Sequence, residues 1–258
     1  MNPIIFKEHD LPMEDLETIG LASRGQLLLN EEDLTALMSG RRTGMQHLKD
    51  LEAENIRIAA IDAKISLSRD TQGKIELLIH PIYKRPVIPD FLDAGEAREL
   101  EKGEVHMLFK KVKDGNAERE YLVEFDEDTR EFIVSDTEKI TAPDMVNSEF
   151  LTAAQKENYK KGKEVKLADG TTFQYAGKDV NGVRSDRLML IASILMDGGL
   201  SYLAFRGLKA LVGKERDEVV AEKQSPGLLS ALDDMEDYQR DRANEDIDEE
   251  ITRHRQRR

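Results

Sequence analysis

One short phrase occurs twice in the middle of the chain, as FLDAGEARELEKGEV at 91–105 and as FLTAAQKENYKKGKEV at 150–165. Aligned without a gap, the two copies share Phe, Leu, Ala, Lys and Gly at the same spacing. Each copy has a polar N-cap residue, Asp93 or Thr152, followed three residues later by Glu or Gln, which is the spacing of a capping box. Each also has a Gly where a helix commonly ends. The phrase therefore predicts a short helix in both places.

β-strand patterns follow both copies. The first continues into VHMLFKKV, EYLVEF and EFIVSD, which predict a three-stranded meander. The second continues into EVKLADGTTFQY, in which Asp169-Gly170 predicts a two-residue hairpin turn. We interpret 91–149 and 150–180 as two helix-plus-sheet units that arose by duplication. The alternative is that a cap, a helix and a Gly occur twice by chance.

The segment 1–89 has a different pattern. LPMEDLETIG and NEEDLTALMSG predict two short helices, because each has acidic residues in its first turn and a Gly at its end. IRIAAIDAKISLSRD, DTQG and KIELLIHPIY then predict a strand, a turn and a second strand. Pro81, Pro86 and Pro89 end that sheet. We expect this segment to form a helical pair plus a β-hairpin.

Residues 188–196 are apolar nearly all round, DGG interrupts the run, and leucines at helical spacing follow, so the pattern predicts a helical hairpin over 186–213. Its apolar stretch has the length of a membrane span, but Asp197, Arg206 and Lys209 count against that alternative. The charged residues of 214–258 predict a helical or disordered tail. The candidate partner face of the hairpin consists of four leucines: Leu200, Leu203, Leu208 and Leu211.

Composition excludes several classes of function. The net charge of −14 opposes indiscriminate binding to nucleic acid, although a local basic patch can still act. The chain has no Cys, which excludes disulfides, thiolate nucleophiles and Cys-ligated metal sites. The N-terminal MNPIIFKEHDLP does not have the basic region and apolar core of a secretory signal. These features favour a cytoplasmic protein.

No catalytic, cofactor or metal residue is predicted from a motif. The sequence contains no HExxH, no GxGxxG, no GxxxxGK[ST] and no GxSxG. Its histidines do not have the spacing of a helical metal pair. An enzyme whose site is assembled from distant segments stays open as an alternative, because catalytic groups often come from separate parts of a chain.

Three short basic stretches are candidates for binding an anion. SGRRTG at 39–44 sets two arginines on a Gly-bounded loop, which suggests a clamp for phosphate or for an acidic partner. The alternative is that they complement the negative end of the preceding helix. YKRP and YKK combine an aromatic ring with cations, as in sites for single-stranded nucleic acid, or are ordinary solvated surface. The candidate contacts are Arg41, Arg42, Lys84, Arg85, Lys160 and Lys161.

The order of the motifs resembles a group of uncharacterised domains. The set consists of DLPMEDLETIGL, LMSGRRTG, DAKISLSRDTQGKIELLIHPIYKRP, the repeated FLxAxxxxxxxKG phrase and DGTTF, over about residues 8–175. Such domains of unknown function occur in proteins of conjugative and other mobile elements of Bacteroidota. The resemblance implies a bacterial cytoplasm and a setting of DNA mobilisation or element maintenance. It implies no catalytic residue.

We therefore expect an α+β protein with small antiparallel sheets, short helices, the repeated helix-plus-hairpin unit, a C-terminal helical hairpin and a charged tail. Its expected domains are 1–89, 90–213 and the tail 214–258. The leading hypothesis is a non-catalytic interaction or adaptor module of a mobile element that binds another protein. The alternative is a nucleic-acid-binding accessory protein that uses the six basic residues. The third hypothesis is an enzyme with an unrecognised site. No cofactor is expected, and a membrane is an unlikely partner.

Overall fold

Short helices and small antiparallel sheets make up the described part of the chain. The structure, a computed structural model, describes residues 6–53, 56–70, 72–115, 117–186, 189–196 and 199–206, together with Ser230, Ala231 and Asp234. Its α-helices are α1 (Met13–Thr18), α2 (Glu31–Met38), α3 (Ala94–Glu101) and α4 (Ala153–Lys160). Its 3-10 turns are Glu8–Asp10 and Thr137–Lys139.

The strands of the described residues belong to small sheets. In chain order they are β1 (Ala22–Ser23), β2 (Gln26–Leu27), β3 (Gln46–Ala53), β4 (Ile56–Arg69), β5 (Ile75–Pro81), β6 (Leu108–Asp114), β7 (Ala117–Asp126), β8 (Glu131–Asp136), β9 (Met145–Val146), β10 (Glu149–Phe150), β11 (Val165–Lys166), β12 (Thr172–Tyr175), β13 (Val183–Ser185), β14 (Met189–Met196) and β15 (Gly199–Arg206). The sheet orders are β1-β2, β3-β4-β5, β6-β7-β8, β10-β9-β14-β15 and β11-β12-β13.

The chain divides into two compact units. The first unit consists of Met1–Ala142, Glu157–Glu164 and Gln174–Arg184. The second unit consists of Pro143–Lys156, Val165–Phe173 and Ser185–Arg258. The first unit contains α1 to α3 and the sheets β1-β2, β3-β4-β5 and β6-β7-β8. Because this unit holds nearly all of the described buried side chains with charge, it contains the candidate site.

The N-terminal helices begin and end where local signals place them. The side chain of Asn30 caps α2 by accepting from Asp33 N at 2.8 Å. Gly20 and Gly40 follow α1 and α2 in the left-handed region, with φ of 81° and 66°. Together with the sheet β3-β4-β5 these helices enclose an apolar core. Its buried members are Phe6, Leu11, Leu16, Ile19, Leu21, Ala22, Leu37, Leu48, Ala63, Ile65 and Leu67.

β4 is the central strand of the N-terminal sheet. It pairs with β5, as the alternating pattern predicts, and also with β3, a strand that the sequence analysis did not predict. Ala63, Ile65 and Leu67 contribute to the apolar core. Lys64 and Ser66 alternate with them and therefore lie on the opposite face of the sheet. Both are buried, so a second layer covers the polar face of β4.

β7 is the central strand of the meander, and its second half is buried on both faces. Val123 and Phe125 pack with Leu92 and Leu100 in a second apolar core. The alternate residues Leu122, Glu124 and Asp126 lie on the other face and are also buried. A carboxylate in such a position needs a compensating charge or a proton, because the interior solvates ions poorly. This requirement defines the candidate site.

The two copies of the repeated phrase share their helix and its caps. Asp93 accepts from Glu96 N at 2.9 Å, and Thr152 Oγ1 accepts from Gln155 N at 3.2 Å. The return bonds, from each cap N–H to the Glu96 or Gln155 side chain, are also present. Both helices end before a Gly in the left-handed region, and strands β6 and β11 follow. Superposition of the two backbones, and with it duplication, stays a prediction.

The hairpin of β11 and β12 is present, but its turn differs from the expected one. Leu167 N donates to Thr171 O at 2.8 Å, and Gly170 N donates to Leu167 O at 3.1 Å. The turn therefore has three residues rather than two. Gly170 takes the left-handed position that follows a tight turn in such loops, with φ of 85°.

The expected helical hairpin over 186–213 is wrong, and so is the α+β fold class. β14 and β15 pair antiparallel from Met189 with Arg206 to Met196 with Gly199. Periodicity cannot separate a buried strand from a buried helix when every residue is apolar, and the short runs on either side of DGG have strand length. The described chain consists mainly of small antiparallel sheets with a few short helices.

The candidate partner face of four leucines is therefore not helical at the two positions that the structure describes. Leu200 and Leu203 lie on β15, and Leu208 and Leu211 lie outside the described residues. Apart from Ser230, Ala231 and Asp234, the tail expected over 214–258 also lies outside them. Among the described residues, no helix has the length and apolar character that a membrane span requires.

The C-terminal glycines of α3 and α4 give a matched stability test. Gly103 and Gly162 have φ of 68° and 66°, so Ala at either position costs about 1–2 kcal/mol of backbone strain. A Cβ at Gly103 meets no atom within 4 Å, whereas one at Gly162 would meet Met107 Sδ and the Leu122 methyl groups. We expect Gly162→Ala to lower the free energy of unfolding by about 1–3 kcal/mol more than Gly103→Ala, measured by urea denaturation. Equal losses would contradict the close packing at Gly162.

Candidate functional site

Two buried carboxylates lie on one face of β7. Glu124 and Asp126 are two residues apart and are 1% and 2% exposed. They are compensated in different ways, because Asp126 faces several cations and Glu124 does not. The candidate site is the set of groups in the first unit that surround these two side chains.

Asp126 is compensated by cations from two other segments. Lys64 Nζ donates to both carboxylate oxygens of Asp126 at 2.9 Å and lies 3.0 Å from Asp128 Oδ2. Arg42 Nη1 lies 3.8 Å from Asp126 Oδ2. Because Lys64 is also buried, water screens this pair little. The pair joins the middle of β4 to the end of β7.

A chain of polar contacts extends from Arg42 to Ser66. Arg42 Nη1 donates to Glu131 Oε2 at 2.7 Å, and His80 Nδ1 lies 3.6 Å from the same oxygen. Ser66 Oγ lies 2.8 Å from His80 Nε2. Burial and the positive charge of Arg42 lower the pKa of His80. The ring is therefore neutral at pH 7, and with Glu131 on its Nδ1 side it accepts from the Ser66 hydroxyl at Nε2.

Ser66, His80 and Glu131 have the atom types of a hydrolase triad, but their environment is structural. The acid of a triad orients its histidine, whereas the oxygen of Glu131 that faces His80 is already bonded to Arg42. Ser66 is 7% exposed in the middle of a regular strand, so a substrate has no access to its hydroxyl. We therefore assign this chain of contacts to the packing of β4 and β5 against β8.

Glu124 has no cation within ion-pair distance in the described part of the chain. Its Oε2 accepts from Gly177 N at 2.5 Å, and its Oε1 has no hydrogen-bond partner. Burial, and then the negative charge of Asp179, raise the pKa of Glu124 to about 8. The Gly177 N–H and the charges of Arg184 and Lys178 act in the opposite direction but do not offset burial. Glu124 is therefore mostly protonated at pH 7.

The loop that covers Glu124 is compact. This segment, 176–182, closes on itself through a bond from Ala176 N to Gly182 O at 3.2 Å. Lys178 Nζ reaches back to the meander and donates to Phe125 O at 3.2 Å. We call this segment the 176–182 loop. Its backbone N–H and C=O groups supply partners for the side chains that surround it.

Arg41 and Tyr159 both bind the 176–182 loop. Arg41 Nε donates to Val180 O at 3.2 Å, and the Tyr159 hydroxyl donates to Gly182 O at 3.2 Å. The Tyr159 ring meets the Tyr175 ring edge-on at 5.9 Å. Burial raises the pKa of Tyr159, so its hydroxyl stays protonated and remains a donor. The loop thus depends on side chains that lie far apart in the sequence.

The structure places the six predicted basic residues in three different settings. Arg41 is buried beneath the 176–182 loop, and Arg42 is bonded to Glu131. Lys84 and Arg85 are exposed between β5 and α3. Lys160 and Lys161 are half-buried at the end of α4, where Lys161 Nζ lies 3.6 Å from Glu157. The side chains of the two arginines thus have internal contacts, and binding of an external anion by the six residues stays a prediction.

The sequence analysis did not identify Lys64, Glu124 or Asp126. One available signal was a pair of acidic residues two positions apart in a strand, as Glu124 and Asp126 are in EYLVEFD. That signal ordinarily indicates a solvated face. Only the second layer over β7 shows that the face is buried. Among the described residues, no group of His, Asp and Glu is arranged to hold a metal ion.

The comparison with protein families agrees with the resemblance to uncharacterised domains over part of the chain. Residues 6–89 match the family described as Protein of unknown function (DUF4099). The match covers α1, α2 and the sheet β3-β4-β5, and it includes Arg41, Arg42 and Lys64. It ends at the residue where the sequence analysis ends its first segment. Neither the curated proteins nor the solved structures contain a match.

The buried ion pair predicts that replacing Lys64 lowers the free energy of unfolding much more than replacing the exposed Lys111. Lys64→Met leaves Asp126 without its principal cation in the interior, which costs about 3–5 kcal/mol of unfolding free energy when one partner of a buried pair is removed. Lys111→Met removes an exposed pair with Glu118 and Glu120, and we expect little change. Urea denaturation measures both variants. A Lys64 variant as stable as the Lys111 variant would contradict the account of Asp126.

The protonation of Glu124 predicts a pH dependence of stability. Between pH 4.5 and about 8 the folded protein keeps a proton that the unfolded chain has lost, so the free energy of unfolding decreases as pH rises. Glu124→Gln removes this decrease. We therefore expect the variant to gain stability relative to the wild type from pH 5 to pH 8, measured by urea denaturation at both values.

The comparison of two proteins separates Glu124 from titrating groups that do not interact with it. Burial lowers the pKa of His80 in the wild type and in the variant alike, so its contribution cancels in the difference between the two curves. Asp179, whose negative charge acts on Glu124, titrates together with it, so the difference reports on the Glu124 and Asp179 pair. Parallel curves from pH 5 to pH 8 would show that Glu124 titrates near its ordinary pKa.

Proposed function

We propose that the protein is a non-catalytic interaction or adaptor module that binds another protein through residues 82–88. The observation that carries this proposal is a run of large apolar side chains on the surface of the first unit. Ile82 is 53% exposed and Val87 is 82% exposed, and Tyr83 and Ile88 are exposed between and beside them. Single exposed apolar residues are ordinary, but several within one short segment indicate a binding surface. We call residues 82–88 the docking segment.

The docking segment is held in place before a partner arrives. Pro81, Pro86 and Pro89 restrict its backbone dihedral angles. Tyr83 N donates to Thr129 O at 2.9 Å, and Leu92 N donates to Pro89 O at 2.9 Å just after the segment. A segment that is already ordered loses less conformational entropy on binding. These contacts support a binding role for the segment.

The charge of the docking segment suggests the chemistry of its partner. Lys84 and Arg85 are exposed and form no ion pair within the described part of the chain. Two free cations among apolar side chains fit a protein groove with an apolar floor and a rim of Asp and Glu. We therefore propose an acidic, apolar groove on another protein as the partner surface.

Binding of nucleic acid has less support than binding of protein. Tyr83 with Lys84 and Arg85 has the composition of a stacking site for single-stranded nucleic acid. However, the side chains of Arg41 and Arg42 are engaged inside the first unit, and the net charge of −14 repels phosphate. The enzyme hypothesis has less support still, since Ser66 is inaccessible to a substrate.

The biological setting of this proposal rests on the sequence resemblance alone. The motifs over about residues 8–175 resemble domains of mobile elements of Bacteroidota, which suggests an adaptor in a bacterial cytoplasm during DNA mobilisation or element maintenance. The family that matches 6–89 has no assigned activity.

The experiment that tests the docking segment uses a photo-crosslinking amino acid at Val87 in the full chain. The crosslinked protein is identified from the native host with and without nuclease, purified, and titrated against the wild type. We expect Ile82→Ser with Val87→Ser to weaken this affinity at least tenfold, since buried apolar anchors contribute most of the binding energy. The matched control is Leu28→Ser, because Leu28 is 62% exposed and lies outside the segment.

Two results would contradict the proposal. One is an affinity that the double substitution leaves unchanged while both proteins remain folded by circular dichroism. The other is a crosslink that disappears with nuclease, which would favour the nucleic-acid alternative. Equal losses from Leu28→Ser and from the double substitution would show that the effect is not specific to the segment.

A further inference from the structure

Arg41 is a buried cation that has no counter-charge among the residues that the structure describes. Its residue is 6% exposed, its Nε is bonded to Val180 O, and its Nη1 has no hydrogen-bond partner. The described part of the chain contains no carboxylate within 4.0 Å of this guanidinium, although the two other arginines of the site are paired, Arg42 with Glu131 and Arg184 with Asp179. A buried charge without a partner is costly and requires an explanation.

Other buried groups of the first unit also have hydrogen-bonding atoms that are not satisfied. Among the described residues of this unit, three further buried side-chain atoms have no partner: Ser39 Oγ, Glu124 Oε1 and Arg184 Nε. Arg184 Nε can only donate, and the Ser39 hydroxyl can donate as well as accept. Protonated Glu124 also carries a donor. Of these groups, Arg184 and Glu124 both contact the 176–182 loop, as Arg41 does.

We propose that Arg41 binds a small oxyanion, of the phosphate or carboxylate class, beneath the 176–182 loop. An oxyanion supplies the negative charge that no described residue gives Arg41, and its oxygen accepts from Arg41 Nη1, which has no partner among the described residues. The planar guanidinium matches two oxygens of such an anion. This site goes beyond the proposed docking function and does not depend on it.

The geometry limits the size of the anion. With 6% of Arg41 exposed, the backbone of a nucleic acid cannot reach the guanidinium, so the proposal is limited to a small ion. Gly182 has φ of 67°, and a Cβ on it would lie 2.7 Å from Arg41 Cδ. The loop therefore lies directly on the arginine side chain. Arg41 is thus not half of an exposed clamp with Arg42, whose Nη1 is bonded to Glu131.

The experiment measures thermal unfolding of the full chain in inorganic phosphate, in succinate and in chloride at equal ionic strength. Phosphate represents the phosphate class and succinate the carboxylate class, so the comparison shows which class the site binds. We expect one of them to raise the melting temperature of the wild type in a saturable manner, by roughly 5–10 °C at about 100 times its Kd. We expect Arg41→Met to abolish this rise. Lys102→Met, which removes an exposed cation outside the docking segment, should leave the rise unchanged.

A second measurement keeps the proposal testable if Arg41→Met does not fold. Equilibrium dialysis of the wild type with radiolabelled phosphate, and separately with labelled succinate, should show saturable binding of about one anion per chain. Arg41→Lys keeps the charge but loses the planar fork, and we expect at least tenfold weaker binding. No saturable binding to the wild type would overturn the proposal. An equal response of the wild type and the Arg41 variants would overturn it as well.

Discussion

The ion pair of Lys64 with Asp126 is the interaction on which the arrangement of the first unit depends. Lys64 projects from the polar face of β4, and Asp126 ends β7, the central strand of the meander. Both oxygens of Asp126 lie 2.9 Å from Lys64 Nζ. Each charge alone would be strongly destabilising in the interior, so only a narrow range of positions of the two sheets is acceptable. The pair thus contributes specificity more than net stability.

The other polar contacts of the unit follow from this arrangement. With β4 and the end of β7 held together, Arg42 donates to Glu131. On the same side, His80 of β5 is hydrogen-bonded to Ser66 of β4. The same face of β7 places Glu124 beneath the 176–182 loop, where none of the described cations lies within ion-pair distance of it. Charge is thereby concentrated inside the unit. The apolar side chains of 82–88 lie outside, and this contrast is the physical basis of the proposed docking role.

The elements that the sequence predicted correctly depend on contacts a few residues apart. Asn30 caps α2 through a residue three positions away, and the same spacing sets the capping boxes of α3 and α4. The strands of the meander and of β4 with β5 alternate along the sequence and turn at short polar segments. The pattern failed at β14 and β15, because a mostly apolar run fits the periods of a helix and of a buried strand equally well.

The sequence by itself determined the caps, the turn glycines, the net charge of −14 and the absence of cysteine chemistry. Tertiary structure alone decided what each charged residue does. Lys64 and Asp126 are 62 positions apart, and Arg42 and Glu131 are 89 apart. The neighbouring arginines at 41 and 42 have different environments: within the described part of the chain Arg42 has a carboxylate partner and Arg41 has none. The physical reason is that burial and Coulomb interactions depend on distance through space, which the spacing of residues along the chain does not specify.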